Sequence, residues 1–206
     1  MMRLRILIAL GISLLLSLVM VLTLRFVAQQ LQPPPPYVGT MIYPPEKLPD
    51  FALTDTNNAT VGLDLYRGKL TLMAFGYTHC PDVCPMTLGD FRRVKTALGD
   101  SASEAQFVFI TVDGERDTAE YLQSYMVRFD PSFIGITGQP DLVQTFGKTF
   151  GLYVAFRQNE ASAANYLVDH TASMFLVDQQ ARLIRVYPFA TPPNDIATDM
   201  VRVLQG

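Results

Sequence analysis

LTLMAFGYTHCPDVCPMTLGDFRRVKTAL, residues 70–98, places an apolar run, two thiols and an amphipathic segment in immediate succession. Leu70 to Tyr77 is nearly unbroken in apolar side chains, the pattern of a strand covered on both faces. Thr87 to Leu98 carries Leu88, Phe91, Val94 and Leu98 at helical spacing. Working outward, Gln106–Val112 reads as a second buried strand. Asp117-Thr118 caps a helix through Ala119–Phe129, with Glu120 in its first turn. Phe133–Ile136 is a short strand, Pro140 opens a helix to about Phe150, and Leu152–Phe156 is another strand. Arg157–Asn165, polar and rich in Ala and Ser, reads as a surface loop. Ser173–Asp178 and Leu183–Tyr187 form a closing hairpin, and Pro192-Pro193 starts a last helix through Leu204. On the upstream side, Asp50-Phe51-Ala52-Leu53 and Val61-Gly62-Leu63 flank the turn-rich Thr56–Ala59, so a hairpin is expected. The Asn58-Ala59-Thr60 sequon there is explained by loop chemistry. Strands alternating with helices describe an α/β three-layer sandwich.

The 206 residues suit one domain plus an appendage. From Ile6 to Leu24 no side chain is charged, which is about 28 Å of helix, close to a hydrocarbon core of about 30 Å. Arg3 and Arg5 precede this run, so the positive-inside rule puts the N-terminus in the cytoplasm. A cleaved signal peptide is the competing reading. It would have a shorter apolar core and a small-x-small site, for which Phe26-Val27-Ala28 is a poor match. Residues 1–25 are therefore read as a transmembrane anchor. Residues 26–47, with Pro33–Pro36, are read as a semi-rigid polyproline linker, and residues 48–206 as the folded domain.

The net charge is −3. Setting aside Arg3, Arg5 and Arg25 from the 16 basic residues leaves 13 against 19 acidic ones, so the body is acidic. That excludes nucleic acid as a partner, since nothing would supply counterion release. Two cysteines exclude a disulfide-stapled scaffold and any four-cysteine metal site within one chain.

Cys80 and Cys84 follow a buried strand and precede a helix. A helix N-terminus favours thiolate, and spacing of four places both sulfurs on one face of a turn. A structural disulfide there would close too short a loop to add much stability. The spacing is one wider than Cys-x-x-Cys and suits a metal ion held between two sulfurs. Soft thiolates select Cu(I) or zinc. Two sulfurs hold a metal weakly, so a third donor is expected, and the chain has only two histidines. His170 precedes the strand at Ser173. In a thioredoxin-like sheet the loop before that strand faces the first strand–helix junction, 86 residues from Cys84 in sequence. His79 adjoins Cys80, and its side chain is expected to point elsewhere. Met73, Met86 and Met174 read as core filling. Asp113 and Asp169 read either as groups orienting His170 or as solvated loop carboxylates. Asp82 reads as a first-turn helix charge.

Gly76-Tyr77-Thr78-His79-Cys80-Pro81-Asp82-Val83-Cys84-Pro85, Thr111 to Thr118 and Val168-Asp169-His170-Thr171 resemble the SCO/SenC family of membrane-tethered, thioredoxin-fold copper proteins. The resemblance spans about Leu48 to Leu204. It implies copper bound by Cys80, Cys84 and His170, as Cu(I) with Cu(II) also compatible. It further implies delivery to the binuclear copper site of cytochrome c oxidase subunit II. The setting it implies is the inner membrane, single-pass, with the soluble domain in the periplasm among other copper chaperones or thiol reductants. One departure is Gly114, where family members often carry proline after Val-Asp. Ordinary thioredoxins place a cis-proline where this chain reads Thr171-Ala172-Ser173, and a Trp before the first Cys, which this chain lacks. The rival reading is a thiol–disulfide reductase that keeps the oxidase's copper-ligand cysteines reduced, using Cys80 and Cys84 as its redox pair.

Overall fold

In the computed structural model, which describes residues 2–30, 37–159 and 162–205, the chain divides into two units at residue 36. The first is one helix, α1 (Met2–Gln30). Its window Leu10–Val27 has a mean hydropathy of 2.3, long and apolar enough to cross a membrane. Two of the polar side chains in that window bond their own backbone, Ser17 to Ser13 O and Thr23 to Val19 O, which lowers the cost of a hydroxyl in an apolar helix. Pro33–Pro36, the heart of the expected linker, lie outside the described residues.

The second unit follows in chain order: β1 (Thr40–Lys47), β2 (Leu53–Asp55), β3 (Thr60–Val61), β4 (Leu70–Gly76), α2 (Val83–Leu98), β5 (Ala105–Thr111), α3 (Ala119–Met126), β6 (Ile134–Thr137) and α4 (Pro140–Gly147). It continues through β7 (Val154–Asn159), β8 (Ser162–His170), β9 (Met174–Val177), β10 (Arg182–Tyr187) and α5 (Pro193–Gln205). Eight strands form one sheet in the order β1-β10-β9-β4-β5-β6-β2-β3, while β7 and β8 pair only with each other. β4, β5 and β6 are parallel, and β9 lies antiparallel to β4.

All seven residues of β4 are buried, as its unbroken apolar run requires. One face meets α2, where the Phe91 ring packs tilted against Phe107 and edge-on to Phe133. α5 lies against α2, and Leu122 of α3 lies against Gly135 on that same face. The opposite face meets α4 and the turn after it, where Phe75, Phe150 and Phe175 pack edge to face. Helices thus cover both sides of the sheet, giving the expected three layers.

Three expectations are corrected. Thr40–Lys47, assigned to the linker, is an edge strand paired with β10. Pro44 and Pro45 hid it, because proline removes ladder donors. An edge tolerates that loss, and the register shifts between Met41 and Glu46. Residues 157–159 and 162–165, assigned to a loop, belong to the strands of the β7–β8 hairpin. Its polar sequence lacks the apolar alternation that marks a half-buried strand. Finally, α2 starts at Val83, so Cys84 lies inside its first turn rather than before it.

Candidate metal centre

The parallel strand β4 delivers the chain to the carboxyl end of the sheet, and Gly76 is its last residue. A Cβ at Gly76 would lie 2.5 Å from the Phe109 ring and 2.9 Å from Cys84 Sγ. Only glycine lets the Cys84 sulfur seat against this backbone. From there the Tyr77 N–H donates to Cys84 Sγ at 3.5 Å. Cys80 sits one turn before α2, and its Sγ accepts the Cys84 N–H at 3.4 Å. Asp82, the N-cap residue, makes no side-chain cap of its own, so the Cys80 sulfur takes one of the helix's orphan donors. Cys84 is buried and Cys80 is partly exposed.

His170, the last residue of β8, comes in from the hairpin. Its Nε2 lies 3.4 Å from Cys84 Sγ. Its Nδ1 lies 2.9 Å from Thr171 O, an acceptor only. Nδ1 therefore carries the proton, and Nε2 turns its lone pair toward the thiols. The Tyr77 ring stands edge-on to the imidazole at 5.9 Å.

The two thiols are electronically unlike. Hydrogen bonding from Cys84 holds the Cys80 thiol far below the ordinary range against the cost of its partial burial. The backbone N–H groups of Asp82 and Cys84 help. Cys84 is pushed up, first because it donates to Cys80 and next because it is buried. One thiolate, one thiol and one imidazole thus converge. This soft donor set fits a copper ion by its chemistry.

The remaining sequence candidates go elsewhere. The His79 ring stacks on Tyr121, with Nδ1 3.0 Å from Thr78 Oγ1. Asp169 points away from the thiols and pairs with Arg157 across the hairpin. Asp82 only caps α2. Met73 and Met174 are buried in the core, but Met86, expected there too, is half exposed on the first turn of α2. His79, Asp113 and Asp117 bring donor atoms within 4.8 Å of one another. Their lone pairs are occupied, however. Asp117 accepts from Thr78 N, Thr78 Oγ1 and Thr111 Oγ1, and Asp113 from Arg116 and Tyr166. This is a hydrogen-bonded floor beneath the thiol loop. Gly114 also has a physical reason: a Cβ there would lie 2.0 Å from Gly138 O, so the two loops touch backbone to backbone.

The SCO1/SenC family model matches residues 40–205. The chain belongs to the SCO1/SenC family. A SCO2-like protein of Rickettsia felis is 31% identical over 147 residues, covering 71% of this chain and 72% of its own. Bradyrhizobium japonicum ScoI, solved with copper bound, superposes with a TM-score of 0.69 at 35% identity, over 76% of this chain and 98% of its own. Yeast Sco1 with copper bound gives 0.72 at 26% identity, over 79% and 90%. The fold is thioredoxin-like. The Sco family is described as one of cytochrome c oxidase assembly proteins. The SCO1/SenC match begins at Thr40, the first residue of the edge strand β1.

Sequence reasoning overlooked Tyr77, Arg116 and Tyr166, which join the thiol loop to the hairpin. Arg116 lies within Thr111–Thr118, and Tyr166 stands four residues before His170. Without the hairpin their meeting could not be foreseen.

Proposed function

We propose that this protein holds one copper ion through Cys80 Sγ, Cys84 Sγ and His170 Nε2 and passes it to the binuclear copper site of cytochrome c oxidase subunit II. The observation that carries this reading is the 3.4 Å approach of His170 Nε2 to Cys84 Sγ across 86 residues of sequence. Cys80, already a thiolate, offers the first soft donor. Cys84 gives up its proton as the metal enters, so loading releases one proton and weakens in acid. The imidazole needs no deprotonation, because Nδ1–H is held on Thr171 O. Few donors, one on a partly exposed cysteine, let incoming thiols replace the protein's own ligands one at a time. α1 is the anchor, with the N-terminus in the cytoplasm and the folded domain in the periplasm.

The test is metal analysis of the domain from Tyr37, wild type against His170→Ala, with and without reductant, together with oxidase assembly at scarce copper. Weak metal binding and failed assembly in His170→Ala are expected. Normal assembly at scarce copper defeats the reading.

A second reading rests on the same thiols. A depressed Cys80 beside a raised, buried Cys84 is the arrangement of an attacking and a resolving cysteine. A reductase of that kind would keep its activity in His170→Ala.

A further inference from the structure

The β7–β8 hairpin brings His170 to the thiols, yet it shares no ladder with the eight-stranded sheet. Something else must hold it, since a two-stranded hairpin is marginal by itself. Beside the site its attachments converge on the loop after β5. The Arg116 guanidinium lies flat over the Tyr166 ring, 3.6 Å from its centroid, and its Nη1 donates to Tyr166 O at 3.1 Å. On the other side it pairs with buried Asp113 at 2.5 Å. The circle closes where the Tyr166 hydroxyl donates to Asp113 Oδ1 at 2.5 Å. Arg116 also stands 5.8 Å from the Tyr77 ring, and the Tyr77 hydroxyl accepts the Val168 N–H at 3.3 Å. Tyr77 belongs to the thiol loop, and Tyr166 and Val168 to the strand that ends in His170. Arg116 therefore sits between the two parts of the site, with a planar fork that can stack and bond at once.

We propose that Arg116, clasped by Asp113 and Tyr166, is a latch that fixes the hairpin to the thiol loop and so keeps His170 within reach of Cys84. This rests on the ligand reading above, with Arg116 as a positioning residue that touches no donor atom. With the latch closed the site has three donors. With it open, Cys80 and Cys84 remain on the sheet and the imidazole leaves, giving a two-thiol site that gives up copper readily.

Two variants test it. Arg116→Lys keeps a cation beside Asp113 but cannot lie on Tyr166 while bonding its carbonyl. Tyr166→Leu leaves the Asp113–Arg116 pair intact and removes the stack and the hydroxyl, so a folded protein is secured even if the first variant unfolds. Cu(I) affinity is read by chelator competition, in the His170 protein and in the His170→Ala background. Amide exchange of residues 167–170 is read in the metal-free protein. Each variant should weaken Cu(I) binding by about 10–100-fold when His170 is present and leave it unchanged when His170 is absent. Protection of residues 167–170 should fall while β4 and β5 keep theirs. Equal losses with and without His170 would overturn the latch, as would unchanged affinity and protection in both variants. If His170→Ala alone binds copper normally, the ligand reading fails instead, and exchange in the metal-free protein still decides the latch.

Discussion

β4 is buried at all seven positions and bonded to β5 on one side and β9 on the other, whereas β7 and β8 pair only with each other and expose Phe156 and Leu167. Both regions bring side chains to the candidate site. Cys80 and Cys84 follow the most deeply packed strand and open the helix that carries Phe91 into the core. His170 ends a ribbon held by the Arg116 guanidinium stacked on Tyr166 and bonded to its carbonyl, the Tyr166 hydroxyl on Asp113, one backbone bond to Tyr77 and buried Val168. The thiols share the stability of the whole domain, while the imidazole shares that of a local attachment. Under the function proposed above this division matters, because one donor could leave without unfolding the others.

The contrast can be broken first at its strong side. Phe91→Ala empties a fully buried aromatic site between α2 and the sheet and should cost about 3–5 kcal/mol in denaturant unfolding. A loss below 1 kcal/mol would mean that α2 is not held as described. Gly76→Ala drives a methyl into Phe109 and the Cys84 sulfur and should cost about 1–3 kcal/mol. It should also raise the Cys80 pKa, because the displaced Cys84 no longer donates well. Thiolate absorbance against pH checks that second effect.

Alkylation of the metal-free, reduced protein sharpens the comparison at the site itself. Cys80 should react at pH 6, where an ordinary thiol near 8.5 is protonated, and Cys84 should stay protected. The sign follows from the depressed folded value. The thiolate's contribution to stability is complete above the ordinary thiol pKa and is lost as pH falls toward the folded one. Cys84→Ala removes the principal donor to Cys80, so alkylation at pH 6 should slow. An unchanged rate would show that backbone N–H groups alone hold Cys80 low. The smallest effect belongs to the hairpin surface. Asp169→Ala breaks an exposed pair with Arg157 and should change stability by less than about 1 kcal/mol in thermal unfolding.

Much of this was legible in residues 70–98. An apolar run of eight followed by an amphipathic segment can only be a covered strand and its helix, and two cysteines at that junction are polarised by the helix terminus wherever the rest of the chain goes. Thr118 as the cap of α3 was equally plain, its hydroxyl accepting the Tyr121 N–H at 3.3 Å. Edge strand β1 and the hairpin were not legible, for a common reason. Their strand character comes from backbone pairing with a neighbour and not from an apolar pattern of their own, so Pro44-Pro45 read as linker and Ser162–Asn165 as loop.

The sequence alone determined which side chains could hold a soft metal: two thiols and one histidine that was not locked beside them. Chemical identity is local, and no fold alters it. What the tertiary structure decided was the distance between them and the group that maintains it. His170 reaches Cys84 because an antiparallel ribbon carries it there, and the ribbon stays because Arg116, 50 residues from Tyr166 in sequence, lies on that ring and bonds its carbonyl. Contacts of that range depend on where the sheet sets each loop, and a one-dimensional pattern does not encode this.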